Sequence, residues 1–170
     1  MMTNKNHSQP DRVLGIAPST RGLGFAVMEG EALVDWGIKT ANNSKNERSL
    51  SNVANLIEHY RPSVIVLENC KVKGSRRAPR IQALHVDIIA RAKHDKVMIK
   101  LLSRKRMMDR FFAEGQGTKQ TLAELLANRF QDDLGSRVPK KRKAWMGEDS
   151  RMDIFYAVAL AEHCVQSRRQ

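Results

Sequence analysis

Acidic and basic side chains sit in this sequence where they could meet a phosphate-bearing ligand. Residues 63–67 (SVIVL) are an apolar run that reads as a buried parallel strand, and Glu68 follows at once. A carboxylate at the C-terminal end of such a strand lies where open α/β sheets place their ligands. Asp149 and Asp153 are four residues apart, so both would project from one face if the segment is helical. Asp149 or Ser150 would serve equally as a helix cap. Asp153 precedes a mostly apolar stretch, and an early-helix carboxylate also suits the macrodipole, by about 0.3–1 kcal/mol. Basic residues crowd these acids. Lys71, Lys73, Arg76, Arg77 and Arg80 follow Glu68. Arg104, Lys105, Arg106 and Arg110 form a second cluster, and residues 140–143 (KKRK) a third. One such run is usually a solvated face. Several of them beside strand ends and the final helix favour phosphate contacts.

The composition points the same way. The formal net charge is +12 and the sequence pI about 10.2, as expected of a chain that meets a polyanion. Aromatic residues are only 5%, too few for an extended single-strand stacking platform, so duplex or branched backbone is the better ligand class. No apolar run is long enough to span a bilayer, and no basic amphipathic helix marks a membrane surface. Residues 1–10 are polar, read as a disordered leader, and lack a signal-peptide core, so the cytoplasm is the expected location. Cys70 and Cys164 have no paired spacing and read as reduced thiols rather than zinc ligands.

The elements that must position these groups follow in order. Residues 12–27 (RVLGIAPSTRGLGFAV) read as strand, tight turn and strand, and the apolar first strand belongs in the middle of a covered sheet. Residues 32–38 add a third strand. Ser49 or Ser51 is expected to cap a helix through Tyr60, with Leu50, Val53, Ala54 and Ile57 on its apolar face. The strand ending at Glu68, a helix over 81–93 and a strand over 97–102 come next. Ser103 caps a short helix, Thr118 caps a helix over 119–130, and residues 134–143 read as a loop. A last helix runs from Asp149 or Ser150 to about Gln166, with Ile154, Ala157, Val158 and Ala161 facing in. The expected fold is α/β, a five-stranded mixed sheet with helices on both faces. Residues 11–166 form a single domain on this reading, and 167–170 a basic tail.

Four segments in this order resemble the RuvC-like Holliday junction resolvases of the ribonuclease H-like superfamily. They are the opening hairpin with its G-I-A-P-S turn, residues 62–68 (PSVIVLE), residues 103–127 with the turn 115–119 (GQGTK), and residues 148–161. The resemblance implies a ribonuclease H-like fold and phosphodiester hydrolysis by carboxylate-held Mg2+ or Mn2+. It maps Glu68 and Asp153 onto metal-binding catalytic positions, with Asp149 as a third and Glu148 in reserve. Lys119 matches a lysine near substrate phosphates, and Lys73, Arg76, Arg77 and Lys105 join it as substrate-binding candidates. The implied function is that of a crossover junction endodeoxyribonuclease on branched DNA, working in recombination and repair.

The family's first metal-binding aspartate is Ala17 here, and a methyl group cannot ligate a metal. Three readings of Ala17 stay open: an inactivating substitution, a natural binding protein with a decayed site, or replacement by another acid. A non-catalytic structured DNA/RNA-binding protein and a YqgF-like RNA-processing nuclease are the alternatives. Such resolvases act as dimers, and Met107, Met108, Phe111 and Phe112 would serve either a homodimer face or the core.

Overall fold

The computed structural model describes residues 10–71 and 77–169. The expected leader therefore lies almost wholly outside the described residues, as do Lys73 and Arg76. Strand β1 (Arg12–Ser19) and β2 (Gly22–Glu29) pair antiparallel in continuous register from Arg12–Glu29 to Ser19–Gly22. β3 (Ala32–Thr40) continues the meander, with a bulge at Val27/Met28. The apolar run becomes β4 (Val64–Glu68), parallel to β1, and β5 (Met98–Leu102) is parallel to β4. The order β3-β2-β1-β4-β5 puts β1 at the centre, as its apolar letters require.

Helices cover both faces. On one, α1 (Lys45–Tyr60) and α2 (Pro79–His94) bury Val53, Leu56, Ile57, Leu84 and Ile88 against Leu14, Ile16, Ile65 and Leu67. On the other lie α3 (Arg104–Phe111), α4 (Lys119–Arg129), the single turn α5 (Gln131–Leu134) and α6 (Met152–Ser167). Met107 is wholly buried there, and Met108, Phe111 and Phe112 pack half-buried on the same core. Met107 therefore belongs to the core, and the other three rest on it with part of each side chain still exposed.

Helix ends differ from expectation in instructive ways. α1 starts at Lys45 rather than at Ser49 or Ser51, and Ser49 is buried inside it. Tertiary bonds hold that early start: Lys45 Nζ donates to the Thr20 carbonyl at 2.9 Å, and Asn46 exchanges bonds with Arg80 and its carbonyl. α2 begins at Pro79, whose fixed φ and missing N–H suit a first helical position. Ser103 and Thr118 cap α3 and α4 as read, accepting from the Arg106 and Thr121 backbone N–H groups.

α6 is buried nearly all round, from Ile154 through Val165, rather than along one stripe. It lies directly on β1 and β2 while α4 covers its outer side, so most of its length is surrounded by apolar side chains. Glycines permit the close seating. A Cβ on Gly15 would stand 2.2 Å from the Ala157 carbonyl oxygen, and one on Gly24 would stand 2.3 Å from that of Asp153. The helix also runs through Ser167, so the expected basic tail is in part its last turn. Arg168 pairs with Asp11 at 2.7 Å.

Gly15→Ala should cost about 1–3 kcal/mol, because the backbone of a central helix cannot yield to a methyl as a side chain can. A urea unfolding midpoint equal to the parent's would contradict this seating.

Candidate functional site

Alternation along β1 sends Val13, Gly15, Ala17 and Ser19 to the face that carries α6. On β4 the same face takes Val64, Val66 and Glu68. The last β1–β4 pair is Gly15–Val66, so two residues further on the register brings Ala17 level with Glu68. Gly24 is Ala17's partner across the hairpin, and the Asp153 backbone lies on it. Ala17, Glu68 and Asp153 therefore meet at one corner, under the first turns of α6. Ala17 is 6% exposed, so its methyl is part of the floor rather than of an open cavity.

The carboxylates at this corner are engaged by the protein itself. Glu68 Oε2 accepts from Arg77 Nε at 2.9 Å and Nη2 at 2.6 Å, and Oε1 accepts from the Tyr156 hydroxyl at 3.0 Å. The pair is largely sheltered, with side-chain exposures of 30% for Arg77 and 13% for Glu68. Burial works against the Arg77 charge, yet the charge and hydrogen bond of the facing Glu68, with smaller help from Tyr156 and Cys70, outweigh it and hold the guanidinium above its ordinary pKa. Burial, reinforced by the Glu68 charge and hydrogen bond, pushes the Tyr156 phenol far up, so Tyr156 is a hydrogen-bond donor at any working pH.

Asp153 is different. Burial raises its pKa, the Ser19 hydroxyl opposes the rise, the Glu148 charge adds to it, and Lys119 and Arg77 pull it back. A buried carboxylate whose charged form is disfavoured in this way is typical of binding and catalytic sites.

Asp149 does not share a helix face with Asp153. The chain enters α6 by tight turns, Met152 N–H to the Asp149 carbonyl and Asp153 N–H to that of Ser150, and this winding spoils a four-residue alignment. Its carboxylate accepts from Arg151 at the backbone N (2.9 Å) and at Nη2 (2.7 Å), and Arg151 holds its pKa low against the effect of burial. Glu148 is paired with Lys119, whose Nζ lies 2.8 and 3.1 Å from its two oxygens and 5.7 Å from the Tyr156 ring centre.

The donor set does not fit a two-metal centre. The first position is a methyl, both Glu68 oxygens are taken, and Asp149 and Glu148 are tied to cations. No group of three His, Cys, Asp or Glu side chains among the described residues is disposed to hold an ion. A hard divalent cation needs several oxygen ligands, and here guanidinium and ammonium groups occupy those oxygens.

Beside this corner opens a groove of about 1510 Å³. Arg21, Arg104, Lys119, Lys140, Lys141, Arg142 and Arg151 line it against only Glu148 and Asp149, so its field is strongly positive. Not every expected phosphate ligand reaches it. Lys105 pairs with Asp109 at 2.7 Å and Glu114 at 3.1 Å on the outer side of α3. Arg80 turns inward to Asn46 and the Ser19 carbonyl, clamping the hairpin turn to α1. Arg110 donates to Gln166 at 2.9 Å. Ser19, Arg21, Tyr156 and Arg151 are site residues that sequence reasoning passed over. The spacing of Tyr156, three after Asp153, places it on the same helix face and was the available signal.

No family model matches the chain, and no curated protein matches it. Solved structures do. Thermus thermophilus RuvC superposes with a TM-score of 0.67 at 16% identity, over 93% of this chain and 96% of that one. The same protein with Holliday junction substrate gives a TM-score of 0.63 at 15% identity, over 94% and 96%. The yeast mitochondrial Holliday junction resolvase Ydc2 gives 0.67 at 13%, over 94% and 80%. Fowlpox virus resolvase with substrate Holliday junction DNA gives 0.58 at 13%, over 91% and 99%. The fold is therefore that of the RuvC-like, ribonuclease H-like resolvases, with the five-stranded mixed sheet and helices on both faces.

The raised Asp153 pKa has a signed consequence. The folded protein disfavours the charged form, so stability falls as pH climbs from the ordinary aspartate value through the raised one, and is level above it. Asp153→Asn should therefore gain stability over the parent at pH 7, with the gain shrinking in acid below the ordinary aspartate value. Urea midpoints that differ by the same amount at both pH values would contradict the assignment.

Proposed function

We propose that this chain binds branched DNA through the basic groove and holds it without rapid phosphodiester cleavage. The observation that carries the reading is the seven-cation groove running past the Glu68–Asp153 corner, on a fold shared with resolvases that have been solved with junction DNA. Phosphate contacts from Lys140, Lys141 and Arg142 supply affinity and register, and base sequence contributes little. Hydrolysis is disabled on this reading by Ala17 and by the Arg77 guanidinium on Glu68. A second copy would bring a two-fold junction a matching groove. Val86 on α2 and Met98 and Leu101 on β5 are exposed apolar side chains that it could cover. A role in recombination or repair follows from the ligand.

A second reading is favoured by one observation: Glu68 and Asp153 share the corner, and burial destabilises the charge on Asp153. On that reading a weakened Mg2+- or Mn2+-dependent endonuclease of the crossover junction type remains.

The test is a titration of the full chain with a four-way DNA junction, a duplex of equal length and a structured RNA, over a series of salt concentrations. The junction should bind tightest, with affinity falling steeply as salt rises, and Lys141→Gln should lower the slope of log K against log salt by about 1. Incubation of the junction complex with Mn2+ should leave the strands intact; cleavage lost in Asp153→Asn would support the second reading. Equal affinity for junction and duplex, or affinity indifferent to salt, would overturn the branched-DNA assignment. Preference for the RNA would point to the YqgF-like alternative.

A further inference from the structure

The basic wall of the groove ends in an indole. Trp145 is 79% exposed, the most exposed large hydrophobic side chain among the described residues, and Met146 beside it is 43% exposed. Leaving an indole in water forfeits the burial free energy that normally draws tryptophan inward. The presentation is also built. Met146 N–H donates to the Lys143 carbonyl at 3.0 Å, closing a four-residue turn with Trp145 at its tip. Arg142 Nη1 braces that turn from outside by donating to the Met146 carbonyl at 3.2 Å. The Lys143 ammonium lies 5.8 Å from the ring centre. Trp145 is the one aromatic among the described residues that line the groove, and Lys140, Lys141 and Arg142 lead up to it along the chain.

We propose that Trp145 is a stacking site for a single unpaired nucleobase of the bound DNA, held beside the phosphates that Lys140, Lys141 and Arg142 engage. The inference rests on the branched-DNA reading and names the part of the ligand this wall takes. A paired duplex keeps its bases inside the stack and offers an indole only edges and backbone. A branch point whose central pairs are open offers a base face, and indole-on-base stacking tolerates any base. The surrounding cations are complementary to the flanking phosphates, so one strand can lie along the wall with one base turned onto the ring.

The experiment uses the full chain and a four-way junction with an open centre, carrying 2-aminopurine at one unpaired branch position. A second junction carries it inside a paired arm. Parent, Trp145→Phe and Trp145→Ala are compared by 2-aminopurine fluorescence and by binding affinity. The side chain stands clear of the core, so thermal melting of the variants should match the parent and confirm folding. The parent should quench the branch-point probe and leave the arm probe alone. Trp145→Ala should lose the quench and weaken open-junction binding about tenfold, with affinity for a fully paired duplex unchanged. Trp145→Phe should keep most of both. Equal quench and equal affinity for parent and Trp145→Ala would overturn the stacking site while leaving junction binding intact. An equal affinity loss on paired duplex would also overturn it, showing a general contact. Failure of the parent to bind any junction would overturn the branched-DNA reading and this site together.

Discussion

The guanidinium of Arg77 on the carboxylate of Glu68 decides what the central cleft can do. A carboxylate at the tip of a buried strand must have its charge met, or folding would leave it stranded in a sheltered corner. A metal ion is one way to meet it, and an internal cation is another. Here Arg77 contributes two N–H donors to Oε2 while the Tyr156 hydroxyl satisfies Oε1. Its charge cannot be removed by any ordinary change of pH. An incoming cation would have to displace it, and would then find a methyl at Ala17 where a further oxygen ligand is needed. The same device recurs around the corner, with Lys119 on Glu148 and Arg151 on Asp149. Glu68, Glu148 and Asp149 are neutralised from within, and the remaining cations of the groove stay exposed to solvent.

That arrangement depends on how closely α6 lies on the hairpin. Asp153 and Tyr156 reach the corner because the helix backbone touches β1 and β2 at Gly15 and Gly24, where no side chain intervenes. A helix held a few ångströms further out would carry Tyr156 away from Glu68. The glycines, the nearly all-round burial of α6 and the Glu68–Tyr156 bond are thus one packing solution. Packing and site cannot be varied independently.

Much of this was legible in the letters. The continuous apolar runs of β1 and β4 carry the signature of doubly covered strands, and the strand-helix order gave the sheet. Glu68 and Asp153 stood out because an acid bordering an apolar run needs an explanation. The remainder was hidden for physical reasons. The start of α1 is fixed by Asn46 and Arg80, which are 34 residues apart, so no local cap signal could show it. Asp149 matched a helical spacing that the tight entry to α6 does not keep. Arg77 and Arg80 look alike in the sequence, yet one covers Glu68 and the other clamps a turn. Which cation is spent internally and which is left for a ligand is a three-dimensional question, and composition reports only their sum.

The most direct measurement is Mn2+ binding by titration calorimetry to the parent, Ala17→Asp, Arg77→Gln and the double variant, each checked for folding by its thermal melt. Internal neutralisation predicts no measurable binding by the parent, little or none by either single variant, and clear binding only when the oxygen ligand is restored and the guanidinium removed together. Tight Mn2+ binding by the parent, or by Ala17→Asp with Arg77 still in place, would contradict it.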